Sequence, residues 1–153
     1  MNIANRKLRV LFLCTGNSCR SQMAEGWTQH LKGDVIDAFS AGTESHGLNF
    51  LAVKVMAEAG VDISYHSSKT LTDLSSPEFD YVITVCSDAD RNCPVMPVPT
   101  KKIHRGFDDP PRLAHAAASE EEALVHYRRV RDEIRAFVET LPESLEQNRD
   151  SES

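Results

Sequence analysis

The sequence predicts an α/β fold: a single domain built on a four-stranded parallel sheet with helices on both faces. Three observations predict it. The chain has 153 residues, enough for one well-packed core and too few for two ordinary ones. Short apolar runs of strand length alternate with stretches whose apolar residues recur at helical spacing, the pattern of strand-helix-strand units. The first run is continuously apolar rather than alternating, as a strand buried on both faces is.

Residues 8–13, L-R-V-L-F-L, form the first strand and feed a turn at Gly16. From Ser21 the period changes: Met23, Ala24, Trp27 and Leu31 fall on one helical face, and Gly33 is the stop. Residues 35–40, V-I-D-A-F-S, read as a second strand ended by A-G, and residues 49–59 as a helix closed by Gly60. The next segment, D-I-S-Y-H-S-S-K-T-L, is rich in turn formers, with a short helix around Leu71 to Leu74 before Pro77. D-Y-V-I-T-V, residues 80–85, is the third strand and carries Cys86 at its carboxyl end. After it, S-D-A-D-R-N-C-P is too polar for core and leads through a proline-containing stretch to Pro99. A fourth short strand lies near Lys102 to His104. G-F-D-D-P-P reads as a loop, because two prolines exclude a helix or a central strand. A long amphipathic helix spans about Ser119 to Leu141, with Leu124, Tyr127, Val130, Ile134, Phe137, Val138 and Leu141 inward and a capping box of Ser119 and Glu122. The domain is expected over residues 1–141, with residues 142–153 as a polar, disordered tail.

Composition removes several functional classes. With 41% hydrophobic and 26% charged residues the chain reads as soluble, and no apolar run approaches the roughly 18 to 20 residues of a membrane span. The amino terminus has positive charge before an apolar run, but that run is only about six residues and lacks a small-residue cleavage site. A cytoplasmic protein with no membrane partner is expected. A net charge of -6 without a basic stripe argues against nucleic acid as a partner, while leaving room for a small anion held by local donors. Four cysteines in a reducing compartment are buried, metal-binding or catalytic rather than permanent crosslinks. Zinc sites usually show duplicated short C-x2-4-C pairs, and this sequence has none, so no metal site is expected.

Ligands of open parallel sheets bind at the carboxyl ends of the strands, which places Cys14 and Cys86 on one rim. Cys14-Thr15-Gly16-Asn17-Ser18-Cys19-Arg20-Ser21 has the spacing C-x5-R-[ST]. A loop of that length between strand and helix can curl so that successive backbone N–H groups point inward at the positive end of the helix dipole. Gly16 and Asn17 tolerate the left-handed backbone that such a curl requires. Arg20 adds two parallel charge-assisted hydrogen bonds to a tetrahedral oxyanion. The same field favours a thiolate at Cys14, and Ser21 on the first helical turn is placed to donate to that sulfur. Thr15, Gly16, Asn17, Ser18, Cys19 and Arg20 are therefore the expected oxyanion-binding residues, and Cys14 the nucleophile.

Together with Asp109-Pro110, this loop resembles the low-molecular-weight tyrosine phosphatase fold. There, a cysteine attacks phosphorus and an aspartate before proline protonates the leaving oxygen. More specifically, C-T-G-N-S-C-R-S-Q-M-A-E-G-W, S-A-G-T-E-S-H-G, V-C-S-D-A-D-R-N-C-P and G-F-D-D-P resemble the thioredoxin-coupled arsenate reductases. The resemblance implies that Arg20 and the loop amides hold arsenate, that Asp109 is the general acid, and that Cys86 and Cys93 are a redox pair. It further implies arsenic detoxification by a three-cysteine relay that ends in a Cys86–Cys93 disulfide. Thioredoxin would be the external reductant, with no bound cofactor, and a monomer is expected. Disulfide-linked Cα atoms lie about 4.4 to 6.8 Å apart, whereas seven residues of regular helix span roughly 10.5 Å. A helical segment between Cys86 and Cys93 must therefore partly unwind to close that bond.

Within the resemblance, Asp108 is expected to be a solvated or loop-capping carboxylate. Some relatives bind potassium near the loop, and the matching positions are Asn17, Glu25, Ser40 and Lys69. The potassium-binding pattern has an aspartate at the last of these, so the Lys69 ammonium is expected to stand in for the ion. Cys19 reads as a structural thiol or one that oxidises with Cys14 under stress, rather than a catalytic one, and the six histidines, His46, His66 and His104 among them, as structural or surface residues. The rival readings are a tyrosine phosphatase, which has no use for Cys86 and Cys93, and a non-enzymatic thiol or metalloid sensor, which would need a partner surface. Weak phosphatase activity is compatible with the cradle, since phosphate and arsenate are both tetrahedral oxyanions.

Overall fold

The computed structural model describes residues 6–74, 78–91, 93 and 100–146. The expected segment at Pro94 to Pro99 and the last part of the tail lie outside the described residues. The elements run β1 (Leu8–Cys14), α1 (Arg20–Lys32), β2 (Ile36–Gly42), α2 (Phe50–Glu58), β3 (Tyr81–Thr84), α3 (Ser87–Arg91), β4 (Lys101–His104), α4 (Pro110–Ala114) and α5 (Glu120–Glu139), with a 3-10 turn at Leu71–Asp73. The four strands form one parallel sheet in the order β2-β1-β3-β4. The apolar β1 run occupies an interior position: Val10, Leu11, Phe12 and Leu13 are all fully buried. Successive strand residues point to opposite faces, so unbroken burial means that both faces of the sheet are covered.

Register brings the site together. Cys14 pairs with Gly42 across β1 and β2, and Leu13 with Thr84 across β1 and β3. The carboxyl ends of β1 and β3, with their cysteines just beyond, therefore meet on one rim, as parallel sheets require of their ligand sites. Behind them α1 buries Met23, Ala24 and Trp27, while α5 buries Leu124, Tyr127, Val130, Ile134 and Val138. Phe137, expected inward, is only partly buried, its ring lying edge-on to Phe107 at 6.0 Å.

Two expectations are corrected. The segment expected to be loop because of Pro110 and Pro111 opens a helix, α4. Proline is tolerated in the first helical turn, where its missing N–H has no intrahelical acceptor to lose. The tail expected from residue 142 is packed as far as Glu146: residues 143–146 add a helical turn, Leu145 is fully buried, and the Tyr81 hydroxyl donates to Glu146 at 3.1 Å. One apolar residue in a polar stretch is enough to anchor it. The cap of α5 is also built with a shift: Ser119 Oγ accepts from the Glu122 N–H at 3.2 Å, but the Glu122 carboxylate reaches back to the N–H of Ala118 at 2.7 Å. Among the described residues, no helix is long and apolar enough to cross a membrane.

Candidate active site

The loop between β1 and α1 has its carbonyl groups turned outward, and each is taken. Those of Cys14, Thr15, Gly16 and Ser18 accept from the backbone N–H groups of Thr43, Glu44, His46 and Asn49, at 3.1, 2.8, 2.9 and 2.9 Å. Asn17 O accepts from the Gln22 amide at 3.1 Å, and Cys19 O from Met23 N at 2.9 Å. A curl whose carbonyls all face out presents its N–H dipoles to the concave side, where the amino terminus of α1 adds its own. Residues 42–49 thus form a strap that fixes the outer wall of the cradle. Gly42 has a positional reason: a Cβ there would lie 2.3 Å from Glu44 O, 2.6 Å from Thr15 O and 2.7 Å from Asn17 N. Asn17 supplies the left-handed residue, at φ 48°.

Cys14, buried at the end of β1, lies 2.8 Å from Ser21 Oγ. The Asn17 amide donates to that same oxygen at 2.9 Å. With its acceptor capacity engaged from one side, the Ser21 hydroxyl is free to donate to the sulfur and so to stabilise a thiolate. Cys19 has no such help. Burial, and then the neighbouring Cys14, push its thiol well up. Cys86 is buried beside the cradle wall: its sulfur lies 3.3 Å from Thr15 Oγ1 and accepts the Ala89 N–H of α3 at 3.4 Å. Cys93 sits half-buried two residues beyond α3, packed against the core, and all four cysteines are thiols.

A cavity of about 380 Å³ opens above the loop, lined by Cys14, Thr15, Gly16, Ser18, Cys19, Arg20, His46, Asp109 and Pro111. Arg20 is held by a 2.9 Å hydrogen bond from Nη1 to Phe107 O and has Nη2 3.7 Å from Asp109 Oδ1. Asp109 is the N-cap residue of α4, yet its side chain caps no backbone N–H, which leaves the carboxyl to the cavity. Its neighbour Asp108 turns away to Arg129 at 3.1 Å.

Behind the loop the four cation-site equivalents are joined. Ser40 Oγ donates to Glu25 Oε1, Lys69 Nζ lies 4.0 Å from the same oxygen, and Asn17 Oδ1 accepts the Lys69 N–H at 2.8 Å. Lys69 Nζ also donates to Ser67 O at 2.9 Å. Gln22 bridges Asn17 to His66, whose Nδ1 is 2.9 Å from Gln22 Oε1 and 4.0 Å from Glu25 Oε1. Burial holds His66 below its ordinary titration range, against the pull of Glu25. Among the described residues, no cluster of His, Cys, Asp and Glu could hold a metal ion.

The model of the low-molecular-weight phosphotyrosine protein phosphatases matches residues 9–151. The chain belongs to that family. Within the family its curated relatives include the arsenate reductase of Bacillus licheniformis, 49% identical over 140 residues, 92% of this chain and 99% of the relative. Among solved structures it is similar to an arsenate reductase in the phosphate-binding state, with a TM-score of 0.66 and 30% identity over 88% of this chain and 95% of that one. The thioredoxin-dependent arsenate reductase of Corynebacterium glutamicum matches with a TM-score of 0.65 and 27% identity, over 95% of this chain and 65% of that one. The resemblance carried by the sequence motifs is the one these family members show.

Some cradle residues escaped the sequence reading. Gly42, His46 and the Phe107 carbonyl belong to the site; all three fall within the blocks that carry the resemblance, but none was given a role in the cradle. His46 was expected to be structural or at the surface, and it lines the mouth of the cavity.

Proposed function

We propose that this protein reduces arsenate to arsenite in the cytoplasm by a three-thiol relay regenerated by thioredoxin, as part of arsenic detoxification. The observation that carries the proposal is the placement of a second buried thiol, Cys86, against Thr15, the residue next to the nucleophile in the cradle. A phosphatase needs the cradle and the acid but has no role for that sulfur.

The proposed chemistry begins in the cradle. Arsenate is held by the loop amides and Arg20, and the Cys14 thiolate attacks arsenic. Asp109 donates a proton to the departing oxygen, which leaves as water. The Cys86 thiolate then attacks Cys14 Sγ. The electron pair of the sulfur–arsenic bond stays on arsenic, which leaves as arsenite, and a Cys14–Cys86 disulfide remains. The Cys93 thiolate displaces Cys14 from Cys86, giving Cys86–Cys93 and a regenerated nucleophile. Thioredoxin supplies two electrons to that last disulfide. The helical turn of α3 lies between the two cysteines, so closing their bond requires it to unwind. The Lys69 ammonium takes the place of a metal cation beside Glu25, keeping Asn17 and hence Ser21 in position without potassium.

The test is a single turnover without reductant. Reduced protein and arsenate are expected to yield one arsenite per chain and a Cys86–Cys93 disulfide on peptide mapping, with neither formed by Cys86→Ser. Arsenite release at full yield from Cys86→Ser would overturn the relay.

A further inference from the structure

We propose that His46 is a ligand of the bound oxyanion and takes up a proton when the anion binds. The inference rests on the oxyanion reading of the cradle and adds to it a residue and a pH dependence.

His46 Nε2 lies 2.6 Å from Glu44 Oε2. An ionised carboxylate can only accept, so Nε2 carries hydrogen and Nδ1 is the open nitrogen. Nδ1 stands beside Gly16: a Cβ built on that glycine would lie 2.3 Å from it. The backbone holds His46 next to this glycine, since the His46 N–H donates to Gly16 O at 2.9 Å. The ring therefore stands over Gly16 on the wall of the cavity that Arg20 and Asp109 share.

With the cradle vacant, a neutral ring presents an Nδ1 lone pair toward the loop. That lone pair repels an arriving oxyanion. Protonated, the same atom becomes a donor to an anion oxygen, and Glu44 balances the new charge from the other nitrogen. The charged groups around the ring are Glu44 on its own strap, Cys14 in the loop, Arg20 on α1 and Asp109 before α4. Lys69 is turned away to Glu25. Arg20 repels a positive charge on the ring, while Glu44 and the arriving dianion attract it. Anion binding thus draws one proton from solvent onto Nδ1 wherever the free ring is neutral, and the gain in affinity is present at low pH and lost as pH rises.

Sulfate is the probe, because it is a tetrahedral dianion that does not itself titrate near neutrality. Nitrogen-15 NMR of the His46 ring in the reduced full-length protein is expected to show the Nε2–H tautomer passing to imidazolium as sulfate saturates. A ring that stays neutral at saturation would overturn the proposal while leaving the reductase reading intact. His46→Ala is expected to weaken sulfate binding roughly tenfold near pH 6 and to converge on wild type near pH 8.5, the loss of one charge-assisted hydrogen bond. An equal loss at both pH values would mark His46 as merely structural and overturn the proposal too. Wild type that binds no sulfate refutes the cradle and the proposal together. Sulfate binding with the His46 response but without arsenate turnover would sink only the reductase reading.

Discussion

Replacing Gly42 by alanine presses a methyl group into the backbone that shapes the cradle. The new Cβ would stand 2.3 Å from Glu44 O, about 1 Å inside ordinary contact, with Thr15 O and Asn17 N at 2.6 and 2.7 Å. All three neighbours are main chain, so no side chain can swing aside. Gly42 does not have positive φ; what it needs is room. Overpacking of this kind costs about 1–3 kcal/mol. Displacing reacting groups by about 1 Å costs roughly a hundredfold in rate. Gly42→Ala is therefore expected to lower the unfolding free energy read from urea denaturation by that amount and to depress arsenate turnover and sulfate affinity together. Gly16→Ala provides a comparison in which the neighbour is a side chain rather than main chain: its Cβ would stand 2.3 Å from His46 Nδ1 and 2.9 Å from His46 Cβ, so the ring must turn and the strap at His46 must also give, and a smaller loss of stability is expected. Wild-type stability and sulfate affinity in Gly42→Ala would refute the claim that the strap sets the cradle's shape.

Asp109→Asn is expected to slow turnover by about 10²–10⁴, the usual contribution of a general acid, whereas Asp108→Asn loses only an exposed pair with Arg129 and stays within a fewfold of wild type. Equal effects in the steady-state assay would reverse the assignment. Turnover is expected to be the same in potassium and sodium at fixed ionic strength, because Lys69 already stands beside Glu25; strong activation by potassium would contradict that role. Asp80 is held below the ordinary carboxylate range by the Arg6 guanidinium and also by the Arg9 N–H. Its stabilisation is thus present above that range and lost as pH falls through the lowered titration. Denaturation of Asp80→Asn should show a deficit of up to about 1 kcal/mol near pH 7 that vanishes in strong acid, and a deficit independent of pH would disprove the linkage.

The sheet was legible because β1, β2 and β3 are apolar runs with few alternatives, and the cradle because C-x5-R-S places its chemistry within one loop. What escaped depends on tertiary context. The start of α4 at Pro110 could not be separated from a loop by a rule that treats proline as a breaker at every helical position. The packing of the chain to Glu146 depends on Leu145 finding the core. The strap escaped because its part in the cradle is played by backbone N–H groups, which every residue but proline carries. His46 reaches the site through that strap; it lies in the block S-A-G-T-E-S-H-G, but without ligand spacing it read only as a structural or surface histidine.

The central claim is that Cys93 completes a relay that thioredoxin resets. Arsenate-dependent NADPH oxidation with thioredoxin and thioredoxin reductase tests it most directly, with wild type and Cys93→Ser compared under the same conditions. Wild type should turn over continuously, while Cys93→Ser releases one arsenite and stops with Cys14 joined to Cys86. Steady turnover by Cys93→Ser at the wild-type rate would contradict the account.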